Sequence, residues 1–316
     1  MNYIAPKPLK PNSKIAVIAP ASSFDCSEVY KGLQVLQEEG FAPILGENIF
    51  FLRTTGLYSA PLQDRINEFT WAIEDDSIDA IICATGGFGS IQILPHLPYE
   101  KIAKTRKPIM GFSDISAINN AILAKSKLIT FNGPMVSVRT DTDEHENKDT
   151  KTLAFALKLL QCNEPWGSKP FAENEFLPRC VSLGQAKGHA IGGNLSTIET
   201  LIGTPYMPDY NGAILFIEDT NESGYTISKL LSHLKLAEIL DKLAGIVIGR
   251  FTAQKEAIDP GSPSIEQIIF ELLKDGPPCI YGMNFSHITS LATIPIGTMT
   301  TVNADTLQVT FDNPFA

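Results

Sequence analysis

Gly111-Phe112-Ser113-Asp114 stands between the apolar run Lys107-Pro108-Ile109-Met110 and a segment, 115–125, whose apolar residues recur at helical spacing. The run predicts a short buried strand and the segment predicts a helix, so Ser113 is expected on a sharp strand-to-helix turn. Such a turn lifts a serine hydroxyl out of the fold and directs backbone N–H groups toward whatever the hydroxyl attacks. The alternative is that Ser113 only caps the helix, a role in which serine is common.

Strands and helices alternate on the N-terminal side of this turn. Continuous apolar runs predict strands at 14–19 and 79–84, and helices are expected at 27–39, at 60–75 and, briefly, from Ser90. Strands without polar alternation, separated by helices, are typical of a parallel sheet covered on both faces. Ligands of such sheets bind at the carboxyl ends of the strands, where the turns at Gly86 and Gly111 lie.

The second half of the chain predicts a different domain. An acidic, polar stretch at 139–150, a helix at 150–161 and a linker at 163–179 with several Pro and Gly residues come first. Strands are then expected at 213–218, 243–249, 278–281 and 299–309, and helices at 223–238 and 264–274. We therefore predict an N-terminal α/β domain at 1–148, a helix and linker at 149–180, and a C-terminal mixed domain at 181–316.

Composition limits the partners and the location. The chain has 316 residues, of which 44% are hydrophobic, and its net charge of -10 argues against nucleic acid and anionic membranes as partners. Its five cysteines form no C-x-x-C pair, so neither a zinc site nor a disulfide framework is predicted. The N-terminal residues lack the apolar core of a signal peptide and no run is long enough to span a membrane, so a cytoplasmic location is expected.

Five histidines are candidates for a general base, and His287 is placed best. It follows the glycine-bearing loop Gly282-Met283-Asn284-Phe285-Ser286, and loops on a rigid scaffold often carry catalytic residues. The alternative is an ordinary hydrogen-bonded loop histidine. The others are His96, His145, His189 and His233.

Glu218 is a candidate carboxylate because it ends the apolar run 212–217. An acid at the end of a buried strand is poorly placed to serve solubility alone. Asp219 competes with it for any catalytic role. Either acid is also explained as a charge near the N-terminus of the helix that follows.

The turn Gly86-Gly87-Phe88-Gly89 follows the 79–84 strand. Its backbone N–H groups, with that of Asp114, are candidates to stabilise an oxyanion, whereas the alternative is a tight turn with no further role. The spacing is not G-x-G-x-x-G, and no glycine fingerprint follows the first strand, so a dinucleotide site is only weakly supported.

Taken together, the motifs resemble those of the LD-carboxypeptidases, a serine peptidase family that includes muramoyltetrapeptide carboxypeptidase and the microcin C immunity proteins. The resemblance extends from about Lys14 to about Thr298. Seven segments carry it in order: Ile15-Ala16-Val17-Ile18-Ala19-Pro20-Ala21-Ser22, Gly86-Gly87-Phe88-Gly89, Gly111-Phe112-Ser113-Asp114, Gly192-Gly193-Asn194-Leu195, Phe216-Ile217-Glu218-Asp219, Phe285-Ser286-His287 and Ile294-Pro295-Ile296-Gly297.

The resemblance implies a catalytic triad of Ser113, Glu218 and His287, with oxyanion donors at Gly86, Gly87 and Asp114. It also implies a three-layer parallel-sheet N-terminal domain, a β-rich mixed C-terminal domain and an active site between them. The implied reaction is hydrolysis of an L,D amide, which releases a C-terminal D-alanine from muramyl tetrapeptides in cytoplasmic cell-wall recycling. No metal or organic cofactor is implied, and a homodimer is expected.

Some positions depart from the family pattern. Thr85 and Phe88 stand where many members have Arg and Tyr, Ser228-Lys229 stands for Asp-Arg, and Ser286 stands for a frequent Gly. A guanidinium binds carboxylates in a two-point fork that threonine cannot reproduce. The departures keep a second enzymatic hypothesis open, a microcin C-type hydrolase of peptidyl- or aminoacyl-nucleotide amides.

Aromatic residues that can stack on a purine would favour this second hypothesis. Trp166 is the one tryptophan suitably placed in the sequence, although a single Trp is more often part of the packing.

A third hypothesis belongs to another class: a non-catalytic protein that binds a small molecule on the same scaffold. Retention of the serine, glutamate and histidine argues against it.

Overall fold

The computed structural model describes residues 3–50, 57–138, 143–162, 166–168, 171, 177–252, 261–288 and 290–315, without the side chains of 143–148. Most of the predicted linker at 163–179, and the side chain of His145, lie outside the described residues. Thirteen strands in two sheets and eight α-helices form the described part of the chain.

The strands are β1 (Lys14–Ile18), β2 (Ala42–Leu45), β3 (Ala80–Cys83), β4 (Ile109–Gly111), β5 (Thr130–Asn132), β6 (Arg179–Ser182), β7 (Gln185–Asn194), β8 (Ile214–Thr220), β9 (Gly245–Thr252), β10 (Cys279–Tyr281), β11 (Ile294–Ile296), β12 (Met299–Asn303) and β13 (Gln308–Phe311). The helices are α1 (Ser27–Glu38), α2 (Leu62–Glu74), α3 (Tyr99–Thr105), α4 (Ser116–Ser126), α5 (Asp143–Leu160), α6 (Leu195–Glu199), α7 (Gly224–Leu236) and α8 (Ile265–Leu273).

The first sheet confirms the predicted parallel N-terminal domain. Its order is β11-β5-β4-β3-β1-β2, and the strands from β5 to β2 are all parallel. The edge strand β11 is antiparallel to β5 and comes from the far end of the sequence. The chain therefore returns to the first sheet for one strand, β11, before it ends in the second sheet with β12 and β13. The predicted domain bounds stay a prediction.

The second sheet is mixed, as predicted for the C-terminal domain. Its order is β13-β12-β7-β8-β9-β10-β6, with parallel pairing from β7 to β10 and antiparallel pairing toward both edges. The single strand expected at 299–309 is instead the hairpin of β12 and β13. Asn303 accepts a hydrogen bond from the Thr306 N–H at its turn, and asparagine favours such turns.

One helix starts earlier than predicted. Helix α5 begins at Asp143, so the stretch expected to be an exposed polar segment is helical over most of its length. Apolar periodicity is absent there, and the prediction depended on that periodicity. Acidic residues at 143, 144 and 146 suit the first turn of a helix because they complement the helix dipole.

Helix α4 lies between the two sheets and is the element that positions the site. It is buried on nearly every side, and it contacts β4 and β5 of one sheet and β7 of the other. A helix buried all round carries apolar residues on every face. The buried polar exceptions here are Ser116, Asn119, Asn120 and Ser126.

Lys107 closes the C-terminal end of helix α2. Its ammonium group is buried and donates hydrogen bonds to the carbonyls of Ala72 at 3.0 Å, Ile73 at 2.9 Å and Asp75 at 2.7 Å. The last carbonyls of a helix have no partner within it and carry partial negative charge. A buried lysine at the start of the β4 segment therefore fixes helix to sheet.

Replacing Lys107 with Met should lower the free energy of unfolding by about 2 kcal/mol, since charged hydrogen bonds are lost and carbonyls lose their donor. Urea unfolding followed by circular dichroism measures the change. Lys125→Met, at an exposed lysine of α4, is the matched control and should change it by less than about 0.5 kcal/mol. Equal effects of the two substitutions would contradict this account.

Glu68 is a buried carboxylate that joins helix α2 to two loops. Its oxygens accept hydrogen bonds from the backbone N–H groups of Ala19 and Asn48, each at 2.8 Å. Gly46 makes room for it, because a Cβ there would lie 2.1 Å from Glu68 Oε1. Burial raises the pKa of Glu68 to about 7, although the two N–H donors oppose the rise.

This pKa predicts a loss of stability as pH rises. Between the ordinary value of 4.5 and about 7 the folded chain holds a proton on Glu68 that the unfolded chain has lost. The contribution of this group therefore falls through that window, by roughly 3 kcal/mol in total, and levels off above it. Unfolding free energies at pH 5 and pH 8 measure it.

In Glu68→Gln the side chain cannot ionise, so the difference in stability between variant and wild type should shift in favour of the variant as pH rises. Glu271→Gln, at a carboxylate that is 74% exposed, should leave the pH dependence as it is. Parallel pH profiles for wild type and Glu68→Gln would show that Glu68 does not titrate in this window.

Candidate active site

The turn that carries Ser113 leads from a strand into a helix, and its backbone is strained. Ser113 has φ +61°, a left-handed conformation that a residue with a Cβ rarely adopts. It follows β4 directly and begins a short helical turn that leads into α4. Phe112 occupies the N-cap position, and no side chain caps the turn. The interpretation of Ser113 as a helix cap is therefore wrong.

Ser113, His287 and Glu218 lie in one hydrogen-bonded line. His287 Nε2 is 3.0 Å from Ser113 Oγ, and His287 Nδ1 is 2.7 Å from Glu218 Oε2. A carboxylate accepts hydrogen bonds, so it favours the proton on Nδ1 and leaves Nε2 to accept from the serine hydroxyl. The serine belongs to the first sheet's domain, whereas the other two side chains come from the second.

Glu218 and Asp219 have different partners. Glu218 faces His287, whereas Asp219 accepts hydrogen bonds from Asn194 Nδ2 at 2.8 Å and from the Ser196 N–H at 2.9 Å. The pairing of β8 with β9 shifts register between Ile217 and Asp219. Such irregularities redirect side chains, and both neighbouring acids are buried here.

The loop that carries His287 is held against β9. Ser286 is fully buried, and its hydroxyl accepts a hydrogen bond from the backbone N–H of Arg250. The serine that stands for a family glycine thus anchors the loop. The ring of Phe112 lies 4.6 Å from the imidazole of His287 between ring centres, so it supports the histidine from the side of the nucleophile.

The glycine turn borders Ser113 directly. A Cβ at Gly86 would lie 2.9 Å from Ser113 Cβ, and one at Gly87 would lie 1.9 Å from Ser22 Oγ, so neither position has room for a side chain. No hydrogen bond within the described residues uses the N–H of Gly86 or Gly87. The Asp114 N–H opens a helical turn, where backbone donors lack an intrahelical partner.

Two carboxyl groups of the site are electrostatically perturbed. Complete burial raises the pKa of Glu218, the adjacent Asp219 adds to the rise, and the interaction with His287 opposes it. Burial likewise raises the pKa of Asp114, against the hydrogen bonds from Ser90 and the charge of Arg65. The Asp114 carboxylate accepts from the Ser90 N–H at 2.8 Å, so it ties the nucleophile turn to the glycine turn.

A cavity of about 210 Å³ opens beside His287. Its walls are mostly apolar and come from the nucleophile turn, the 134–137 segment, helix α5 and the histidine loop. Lining residues include Phe112, Met135, Ser286, His287, Ile288 and Leu291.

The other candidates of the sequence lie elsewhere. His189 bonds the Gly297 carbonyl, His233 pairs with Glu199, and His96 is exposed on a short helical turn. Trp166 is 3% exposed and stacks on Phe131, so it belongs to the core. All five cysteines are free. Among the described residues, no cluster of His, Cys, Asp or Glu is arranged to hold a metal, and no helix is long and apolar enough to cross a membrane.

Sequence reasoning missed the polar side chains behind the triad. Ser116 and Asn120 on α4 and Arg65 on α2 are all at most 1% exposed and all make hydrogen bonds near the site. The available signal was polarity where the pattern demands apolar residues: Ser116 and Asn120 lie one and two helical turns beyond Ser113. A polar residue within a buried helix needs a partner.

Fold and site define the class: a two-domain α/β protein with a hydrogen-bonded Ser, His and Glu at the domain junction. A family model for the LD-carboxypeptidase N-terminal domain matches residues 15–133, and a model for the LD-carboxypeptidase C-terminal domain matches residues 187–302. The chain therefore belongs to the LD-carboxypeptidase family, a family of peptidases.

Individual relatives cover nearly the whole chain. It is 32% identical over 306 residues to the probable murein peptide carboxypeptidase of Bacillus subtilis (strain 168), across 96% of this chain and 92% of the relative. It is 30% identical over 322 residues to the microcin C7 self-immunity protein MccF of Escherichia coli, across 94% and 91%. The solved structure of MccF in complex with aspartyl sulfamoyl adenosine superposes with a TM-score of 0.85 at 25% identity, covering 99% of both chains.

Gly86→Ala should displace the nucleophile, because the new methyl group would overlap Ser113 Cβ. We expect a loss of about 1–3 kcal/mol in unfolding free energy and a crystal structure in which Ser113 has moved away from His287. Gly224→Ala is the control, since the nearest atom to a Cβ there is the end of the Ile268 side chain at 3.2 Å, and the next two atoms lie at 3.8 Å, an ordinary contact distance. An undisplaced Ser113 in the Gly86→Ala crystal structure would contradict the prediction.

Proposed function

We propose that this protein is a serine-type LD-carboxypeptidase that releases C-terminal D-alanine from muramyl tetrapeptides in cell-wall recycling. The observation that carries the proposal is the line of hydrogen bonds from Ser113 through His287 to Glu218 across the domain junction. The family and the murein peptide name of the Bacillus relative support the substrate class. The cytoplasmic location and the homodimer expected from the resemblance are part of the same proposal.

Acylation follows from the geometry. Ser113 Oγ attacks the carbonyl carbon of the L,D amide while His287 Nε2 takes the hydroxyl proton. Glu218 holds the imidazole in the required tautomer and stabilises the imidazolium that forms. The oxyanion accepts hydrogen bonds from the N–H groups of Asp114 and of the Gly86–Gly87 turn, and each such donor is typically worth about 10²–10³ in turnover.

Release of the product uses the same histidine. The tetrahedral intermediate collapses, the C–N bond breaks, and His287 gives its proton to the leaving nitrogen of D-alanine. Water then attacks the acyl ester, His287 takes a proton from it, and the C–O bond to Ser113 breaks as that proton returns to Oγ. No step needs a metal or an organic cofactor.

The cavity beside His287 supports a small leaving group. Because His287 protonates the leaving nitrogen, the released residue lies on the histidine side, where the cavity measures about 210 Å³. Sites for drug-sized ligands are larger, roughly 300–1,000 Å³. D-Alanine suits this space better than a nucleotide does.

Hydrolysis of a peptidyl- or aminoacyl-nucleotide amide is the second candidate. It is favoured by the relationship to MccF, whose solved complex contains aspartyl sulfamoyl adenosine, and by Thr85, which replaces a guanidinium found in many family members. The burial of Trp166 weakens it, since that side chain is packed against Phe131 and is not available to a purine.

The test is incubation with UDP-MurNAc-tetrapeptide, with free muramyl tetrapeptide and with an aminoacyl-nucleotide amide, each product being identified by mass spectrometry. We expect release of D-alanine from the muropeptides. Ser113→Ala should reduce kcat by roughly 10⁴–10⁶, and Glu218→Gln, which keeps the shape but loses the carboxylate, by about 10⁴.

A tetrapeptide that ends in L-alanine is the stereochemical control and should stay intact. Cleavage of the nucleotide amide alone would favour the second candidate. The third hypothesis, a non-catalytic binding protein, would be supported by saturable muropeptide binding without turnover in wild type. Equal turnover by wild type and Ser113→Ala would exclude Ser113 as the nucleophile.

A further inference from the structure

The Gly192-Gly193-Asn194 segment at the end of β7 has no role in the chemistry above, yet it lies against the helix that follows the nucleophile. Asn120 of α4 pairs with both backbone groups of Gly192. Its Nδ2 donates to the Gly192 carbonyl at 2.8 Å, and its Oδ1 accepts from the Gly192 N–H at 3.0 Å. A side chain of one domain thereby pairs with a strand of the other.

The remaining capacity of Asn120 is also used. Nδ2 donates to the Ser116 carbonyl at 2.7 Å, and the side chain is only 1% exposed. All polar atoms of the amide therefore have partners. A buried amide satisfied in this way holds one position and one orientation.

A second contact lies one helical turn closer to the nucleophile. The Asn194 N–H donates to Ser116 Oγ at 3.1 Å, and the side chain of Asn194 donates to Glu218 Oε1 at 3.3 Å. The path closes on itself: from Ser113 along the chain to Ser116, across to Asn194, on to Glu218, and through His287 back to Ser113. The line through His287 and the path through Ser116 and Asn194 therefore both begin at Ser113 and end at Glu218.

Gly193 is explained by how close the helix comes, and Gly192 by the neighbouring strand. A Cβ at Gly193 would lie 2.2 Å from Ser116 Oγ of α4, whereas one at Gly192 would lie 2.1 Å from the Phe216 carbonyl oxygen of β8. Gly192 has φ +113° and Gly193 has φ +138°, a backbone conformation that favours glycine. Helix α4 can approach β7 this closely at Gly193 because that position lacks a side chain.

We propose that the pairing of Asn120 with Gly192, supported by Ser116 and Asn194, is the joint that sets the distance between Ser113 and His287, and that Asn120 is a positioning residue. This inference rests on the proposed function for its kinetic consequence, though not for its geometric one. Asn120 does not touch the reacting atoms. Its effect is to fix the helix that carries the nucleophile turn against the domain that carries the base and the carboxylate.

Asn120→Asp tests the proposal, because it keeps the shape of the side chain and turns an oxygen toward the carbonyls of Ser116 and Gly192. We expect kcat on the best muropeptide substrate to fall about 100-fold with KM changed less than about threefold, as for a misplacement near 1 Å. A crystal structure of the variant should show the Ser113 Oγ–His287 Nε2 distance lengthened from 3.0 Å to beyond roughly 3.5 Å.

Lys107→Met is the control, since it removes a buried hydrogen-bonding group whose partners are the carbonyls of Ala72, Ile73 and Asp75 and not members of the joint, and it should leave kcat within about threefold at a temperature where the variant is folded. An Asn120→Asp crystal structure that keeps the 3.0 Å distance would overturn the proposal, whatever the activity. A folded Asn120→Asp variant with wild-type kcat would overturn it as well. Absence of turnover in the wild type would instead count against the proposed function. The distance between Ser113 and His287 in the crystal structure of Asn120→Asp would still test whether Asn120 positions the two domains.

Discussion

The hydrogen bond between Ser113 and His287 joins two domains that have separate sheets. The rest of the structure has to keep the two domains in a position in which the distance between these atoms stays near 3.0 Å. A nucleophile and its base need heavy-atom distances near 3 Å, and an error of 1 Å is enough to remove most of their cooperation. One hydrogen bond between two partly buried side chains is too weak to fix two domains by itself. The burial of α4 between the sheets supplies the rigidity, because its apolar faces pack against both.

Buried polar groups are concentrated along the same junction, and each is balanced by partners. Glu218 and Asp219 are adjacent, ionisable and at most 1% exposed, an arrangement that would be costly without compensation. Asp219 is surrounded by donors from Asn194, Ser196 and the Thr220 N–H, which stabilise its charge. Within the part of the chain that the structure describes, Glu218 has the long contact from Asn194 and the short one from His287 as its hydrogen bonds. The carboxylate with fewer donors is thus the one that faces the histidine, so an imidazolium formed there gains the larger stabilisation.

The sequence predicts the parts of this protein that depend on local pattern. Continuous apolar runs located β1, β3, β4, β8 and β9, and the chain's turn at Ser113 followed from a strand, a glycine and a helix in succession. Strand β7 was missed because its sequence, Gln185–Asn194, is rich in glycine and polar residues, which strand propensity disfavours. The early start of α5 was missed because its first residues are polar and acidic and carry no apolar periodicity.

Local pattern is also silent on which distant residues meet. Glu218 and Asp219 were equivalent by position, and only the family resemblance favoured Glu218 before the register shift in β8 gave a physical reason for their different partners. The sequence did not predict the contact of Asn120 with the other domain, because a single asparagine in an apolar helix does not indicate which residue it binds. Its meaning depends on tertiary contacts more than 70 residues away along the chain.

Arg65 is a buried arginine behind the glycine turn. The glycine turn is supported from beneath by Arg65, whose guanidinium donates to the carbonyls of Pro20 and Gly89 and to the side chain of Gln92. These donors are used by groups of the protein itself, and the Arg65 side chain is 1% exposed. Arg65 is therefore not available as a carboxylate anchor in place of the arginine that many family members have at the position of Thr85. The backbone N–H groups of the glycine turn and the cavity beside His287 are the other groups described around Ser113, and the cavity wall includes Asp149 and Thr152 as well as apolar side chains. A guanidinium would add a planar two-point donor for a carboxylate, which none of these groups supplies in the same form.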